Sequence, residues 1–197
     1  MMITIKDNFL DFDNYQKVLN YCTDEAEFNS YKVGDKLFHC TLDNTAWLSH
    51  LILSHLGAEK YRHVFSYFRI ATSRLDTDWR IHCDSEIMGE QPTHACVLYI
   101  TENKQKPNGT AFWEHEDYGM YCPELAIEEF DRLIIEDSNK MDKWKMSNYI
   151  DGRANRLLTY PTNIFHSKYP NVAWGNDQSD CRIIFCMFYK QTKGGAL

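Results

Sequence analysis

Four residues carry the chemistry this sequence offers: His82, Asp84, His166 and Arg182. Two imidazoles and a carboxylate make a facial ligand set for a divalent metal and leave three coordination positions open. His82 and Asp84 lie two apart in Trp79-Arg-Ile-His-Cys-Asp84. On a strand, residues two apart project to the same face, so both can point into a barrel while Cys83 points away. Taken alone, His-x-Asp describes a hydrogen-bonded surface strand end better than a metal site. His166 would close the set from the distant stretch Asn155-Arg-Leu-Leu-Thr-Tyr-Pro-Thr-Asn-Ile-Phe-His166. Arg182 opens an apolar run ending at Phe188, where a buried guanidinium is expensive unless paired. Its planar fork matches a carboxylate, so an acidic co-substrate would satisfy it, as would an ion pair with one of the 28 acidic residues.

The elements that must position these residues can be read from periodicity. Residues 1–62 read as mostly helical. Asp13 to Tyr21 places Tyr15, Val18, Leu19 and Cys22 on one face, with Asp13 or Asn14 as cap. Asn44 to Leu56 carries an apolar stripe of Trp47, Leu48, Leu51, Ile52 and Leu56, stopped by Gly57. His50 and His55, five apart, do not share a helical face. From residue 63 aromatic and β-branched residues favour strands: His63–Ala71, Trp79–Asp84, His94–Ile100, Thr110–His115, Asn155–Tyr160 and Cys181–Tyr189. Residues 63–115 and 151–190 therefore form an all-β barrel or sandwich core. Residues 116–150 break the rhythm. Pro123 to Ile135 repeats Leu125, Ile127, Phe130, Leu133 and Ile134 at helical spacing, so this segment is expected to be an insertion over one end of the barrel, placed to act as a lid. Trp144 and Met146 are expected to anchor it. Trp113 and His115 share a strand face that could meet substrate or pack a sheet.

The bulk numbers bound the partners. The 197 residues fit one domain, and 44% hydrophobic residues with 14% aromatics can build a real core. A formal charge of −7 gives no basic field for nucleic acid. No apolar run is long enough for a membrane span or a signal peptide. Seven cysteines, none spaced as CxxC, read as buried free thiols of a cytoplasmic protein, with Cys83, Cys96, Cys181 and Cys186 as small core residues.

In order along the chain, His82-x-Asp84, Tyr99-Ile100, Asn108-Gly109-Thr110 before Phe112, Asn155-Arg-Leu-Leu-x-Tyr-Pro, Phe165-His166-Ser167 with Pro170, and Arg182 resemble the 2-oxoglutarate/Fe(II)-dependent oxygenases. The nearest subgroup is the prolyl-hydroxylase-like one with its small bacterial and phage relatives, over roughly residues 63–190. The resemblance implies a mainly β (α+β) double-stranded β-helix, a cupin-like jelly roll with flanking helices. It implies Fe(II) on His82, Asp84 and His166, and 2-oxoglutarate held at its distal carboxylate by Arg182 and Tyr99. It implies a dioxygenase that converts 2-oxoglutarate and O₂ to succinate and CO₂ while hydroxylating a small-molecule or peptidyl substrate. The chain departs from the pattern at Ile184, where many members carry Ser or Thr, so Tyr99 or Thr159 would have to supply that hydroxyl. A zinc-dependent hydrolase on the same three ligands, or a non-catalytic cupin-like binding module, are the rival readings. The primary substrate and the oligomeric state stay open.

Overall fold

The computed structural model describes residues 2–33, 36–72, 75, 80–102, 107–171 and 174–192. Ten strands form two antiparallel sheets. The larger contains β1 (Thr4–Lys6), β8 (Arg156–Pro161), β5 (His94–Tyr99), β10 (Arg182–Gln191), β4 (Tyr61–Ala71), β3 (Lys36–Thr41) and β2 (Asn29–Val33), side by side in that order. The smaller runs β7 (Trp144–Asp151), β6 (Gly109–His115), β9 (His166–Tyr169). Neighbours such as β8, β5 and β10 are far apart in sequence, so the pairing is built from long-range contacts between short strands.

Strand alternation sorts the side chains into three layers. On β10, Ile183, Phe185, Met187 and Tyr189 face outward and join Val18, Leu48 and Ile52 of the helices α1 (Phe12–Asn20) and α2 (Ala46–Leu56). Ile184, Cys186 and Phe188 face inward and meet Phe112, Ile150 and Ile164 from the smaller sheet's side. A third cluster, with Trp113, Trp144 and Phe165, covers the outer face of the smaller sheet. Inward-facing positions on the larger sheet are therefore the ones that can reach a site between the sheets.

The helices fall close to expectation. Residue α1 begins one position before the expected stretch, and its cap is Asp11 rather than Asp13 or Asn14: the Asp11 carboxylate accepts from the Asn14 backbone N–H at 2.8 Å. Gly57 ends α2 at φ 99°, a left-handed conformation glycine adopts freely.

Three expectations are corrected. Residues 1–62 are not mostly helical, because β1, β2 and β3 also lie there and extend the larger sheet on both edges. The expected strand Trp79–Asp84 reduces, in its described part, to a single bridge in which His82 and His166 exchange backbone hydrogen bonds of 3.0 and 2.8 Å. The segment 116–150 is helical only in part: α3 (Ile127–Arg132) continues as a wider turn over Leu133–Asp137, and Trp144 and Met146 belong to β7. The amphipathic run there serves to bury Leu133 and half-bury Phe130 against Trp113 and Phe165. No helix among the described residues is long and apolar enough to cross a membrane. All seven cysteines are buried and unpaired, as expected of small core residues.

Candidate metal centre

The bridge at His82 does locally what a longer strand was expected to do. With the His82 backbone pinned to His166 and the Asp84 N–H donating to the Thr162 carbonyl at 2.8 Å, the chain is extended from 82 to 84. Ile81 and Cys83 turn into the outer cluster, while His82 and Asp84 turn inward. His166 opens β9, directly across from Phe112 on β6. One backbone pair thus sets both histidines, and a register slip by one residue would turn the ligand side chains to the other face.

One ligand atom from each of His82, Asp84 and His166 lies within 4.8 Å of the others. His82 Nε2 is 4.0 Å from Asp84 Oδ1, and His166 Nε2 is 3.8 Å from Asp84 Oδ2. Each imidazole is held from behind: His82 Nδ1 lies 2.9 Å from the Arg80 carbonyl and His166 Nδ1 3.0 Å from the Ile164 carbonyl. A carbonyl oxygen only accepts, so both Nδ1 atoms carry hydrogen and the Nε2 lone pairs are left for the side where Asp84 sits. This is the support that metal-binding histidines receive from their surroundings.

Electrostatics prepares the same set. Burial pushes the Asp84 carboxyl up to about 6, with His82 pulling it partly back. Burial pushes the His166 imidazole down to about 4, against the smaller opposing effect of the Ile164 carbonyl. At neutral pH the group is an anionic carboxylate beside a neutral His166, the protonation state a cation needs. Asp84 Oδ2 is buried and accepts no hydrogen bond among the described residues. A buried carboxylate oxygen without a donor is expensive, and a bound cation would remove that cost.

Arg182 stands on the same inner face, 5% exposed, with Nε unpartnered among the described residues. Its guanidinium carbon lies 5.8 Å from the centre of the Tyr99 ring. Arg182, Thr110, Tyr67, Arg69, Tyr160 and the three ligand candidates line one small cavity of about 80 Å³. Tyr99 is wholly buried behind it, and its hydroxyl meets Thr110 Oγ1 at 2.6 Å. Gly152 makes room for that ring, since a Cβ there would come within 2.8 Å of two of its carbons. Thr110 is thus the hydroxyl at the cavity wall, with Tyr99 supporting it.

The departure at Ile184 resolves in the register. Ile184 is flanked by Tyr99 on β5 and by Arg69 on β4. Thr159 does not fill the gap: its hydroxyl lies 2.5 Å from that of Thr4, and its neighbour Leu158 is the one that faces inward. Arg69 and Thr110 were missed from the sequence, although alternation along Tyr67-Phe-Arg69 put Arg69 on the face of Tyr67. Thr110 stands at the start of the expected strand Thr110–His115, where nothing in the sequence marks it as reaching a cavity. Tyr160, whose hydroxyl lies 3.3 Å from His166 Nε2, was read only as a motif position. Trp113 and His115, expected either to meet substrate or to pack, take the packing role. Trp113 Nε1 donates to Ser167 Oγ at 2.9 Å, and His115 is enclosed by Tyr118 and Trp144.

No protein-family model matches the sequence, and no curated protein does. Solved structures do match in shape. A non-heme alpha-ketoglutarate-dependent carbocyclase, SnoK, from nogalamycin biosynthesis superposes with a TM-score of 0.63 at 11% identity, over 95% of this chain and 78% of that one. HygX from Streptomyces hygroscopicus, solved with nickel and 2-oxoglutarate, gives 0.61 at 13% identity, over 97% of this chain and 83% of that one. A Pseudomonas putida prolyl-4-hydroxylase gives 0.52 at 12% identity, over 96% and 93%. With two facing antiparallel sheets in this strand order, the chain has the double-stranded β-helix fold of these structures.

Proposed function

We propose that this protein is a non-haem Fe(II)- and 2-oxoglutarate-dependent oxygenase of the hydroxylase type. The observation that carries the reading is the meeting, in one cavity, of three ligand atoms within 4.8 Å of each other and a buried guanidinium. In this reading His82, Asp84 and His166 hold the metal, and Arg182 holds the distal carboxylate of 2-oxoglutarate. The unpartnered Asp84 Oδ2 and Arg182 Nε fit a cation and an acidic co-substrate respectively. Iron bound there would couple O₂ and the decarboxylation of 2-oxoglutarate, giving succinate and CO₂, to oxidation of a C–H bond of the primary substrate.

The chain's own residues supply position and environment. The Arg80 and Ile164 carbonyls keep hydrogen on the two Nδ1 atoms, so both Nε2 atoms stay available. Tyr99 supports the Arg182 end of the cavity twice, by lying beneath the guanidinium and by fixing Thr110. Thr110 then offers its hydroxyl to the carboxylate that Arg182 holds. Phe112 and Tyr160 pack edge to face beside His166, which limits water on that flank and leaves the Tyr160 hydroxyl as the polar group nearest His166 Nε2, at 3.3 Å.

The activity is tested with protein purified anaerobically. Adding Fe(II), 2-oxoglutarate and O₂ should yield succinate, and His166→Ala should reduce that yield to background. Turnover with zinc and no 2-oxoglutarate would favour the hydrolase, and no metal uptake at all would favour the binding module. The insertion supports a second role. Cys122, Leu125 and Phe130 border a cleft that also contains Asp84, so residues 116–150 are placed to select what approaches from that side. Exchanging only residues 122–137, ahead of β7, for another sequence of that length should change the substrate range, and an unchanged range would exclude the lid.

A further inference from the structure

Beside the metal cavity runs a second and larger recess of about 570 Å³. Its floor is the inner face of β4 and β10, through Phe65, Tyr67 and Phe188. One wall comes from the β2–β3 pair through Tyr31 and Phe38, and from Leu42 just after β3. The opposite wall is the turn that follows Asp84. There Ile87 and Glu90 exchange backbone hydrogen bonds of 2.8 and 3.0 Å, and the ion pair between Glu90 and Arg62 holds the turn to β4. Met88 is thereby displayed at a fixed tip.

Three properties define what this groove would take. First, it is apolar and uncovered: Tyr31 is 41%, Leu42 44% and Met88 77% exposed, all on this one recess. Exposed apolar side chains gathered on a single concave surface mark a binding site. Second, it adjoins the metal cavity, because Tyr67 and Phe188 line both. Third, its floor is aromatic. Phe65 and Tyr67 are 5.7 Å apart and Tyr67 and Phe188 6.4 Å, a row of rings leading inward. At the junction the Arg69 guanidinium covers the Phe38 ring at 4.7 Å.

Charge narrows the class. Among the described residues lining the groove, Glu86 alone is charged, and the Arg69 guanidinium stands only at its inner end, where it covers Phe38, so the length of the groove offers an anionic group no cation. A peptide would bring an N–H and a C=O per residue into a recess with few polar partners, which is unfavourable. We propose that this groove binds the primary substrate and that the substrate is an uncharged, ring-containing small molecule; the claim rests on the oxygenase reading above.

The test uses the full chain and the uncharged two-ring dye N-phenyl-1-naphthylamine. Its fluorescence should rise saturably, and Leu42→Asp and Met88→Asp should each weaken binding about tenfold, since each puts a charge on an apolar contact. Both side chains are partly in solvent, so both variants should fold. Mn(II) bound at the three ligands should broaden the proton resonances of the bound dye. His166→Ala should bind the dye normally without that broadening. No saturable binding, or unchanged affinity in both variants, overturns the groove. Broadening that is absent although the free Mn(II) signal shows uptake overturns its role as substrate site. Absence of Mn(II) uptake overturns the oxygenase reading, while the dye titration still decides the ring preference. Displacement of the dye by short unstructured peptides at lower concentration than by 1-naphthol overturns the small-molecule class.

Discussion

Two polar clusters on the larger sheet are finished in opposite ways. At the start of β8, Asn155 adopts φ 60° and pairs with Leu10 twice, accepting from its N–H and donating to its carbonyl, each at 2.8 Å. Beside it Arg156 donates through Nε and Nη2 to Asp7, at 2.5 and 2.9 Å, and through Nη1 to the Asp151 carbonyl at 2.7 Å. Every strong donor there has a partner, which is how a polar cluster stabilises a fold. In the metal cavity Asp84 Oδ2 and Arg182 Nε have none among the described residues. The first cluster ties the N-terminus to the sheet. The second leaves these two atoms open among the described residues, which fits the ligand-binding role proposed for it. A guanidinium in an apolar strand therefore says little by itself: Arg156 and Arg182 look alike in sequence, and only the presence or absence of a protein carboxylate tells them apart.

That contrast can be broken at either end, and the largest effect is expected at Arg182. Arg182→Ala removes a charged, two-pronged partner and should weaken 2-oxoglutarate binding about a hundredfold, while leaving metal affinity nearly unchanged. Calorimetry with metal-loaded protein measures both, and normal co-substrate affinity would end the assigned role. Next comes Asn155→Ala. It strips two hydrogen bonds from the Leu10 backbone and should lower unfolding stability by about 2–4 kcal/mol, read by urea denaturation. An effect below about 0.5 kcal/mol would mean that this corner is not the structural tie described.

An effect of opposite sign, confined to the upper pH range, is expected at Asp84. Its folded carboxyl stands at about 6 against an ordinary 3.8, so the metal-free fold binds a proton more readily than the unfolded chain. The associated stability is fully present below the ordinary value and is lost as pH rises through about 6. Asp84→Asn should therefore stabilise the metal-free protein by up to about 3 kcal/mol at pH 8 and by almost nothing at pH 4, while removing metal binding. Denaturation with a chelator at the two pH values checks it. A variant less stable than the parent at pH 8 would show that the carboxylate is satisfied within the fold.

Much of this was legible one segment at a time. Alternation along β10 separated Ile183, Phe185 and Met187 from Ile184, Cys186 and Phe188, and the same period put His82 and Asp84 on one face. Local chemistry marked Gly57 as the end of α2. Where local signals were weak, expectations slipped. β2 and β3 carry many polar residues and read as part of a helical region, because they gain stability only by pairing at the edge of a sheet already formed. Trp144 and Met146 read as anchors of an insertion because nothing in their own stretch discloses the β6 register that claims them.

The sequence by itself offered His82, Asp84 and His166 as a candidate ligand set through its resemblance, put His82 and Asp84 on one face through a two-residue period, and marked the apolar strand that carries Arg182. Only the tertiary structure decided which polar groups find partners. It placed Arg69 across from Ile184, put Thr110 rather than Thr159 at the cavity wall, and brought the β2–β3 pair opposite Met88 to make a groove. Those outcomes depend on the register between strands distant in the chain, and a spacing within one segment carries no information about the register of another.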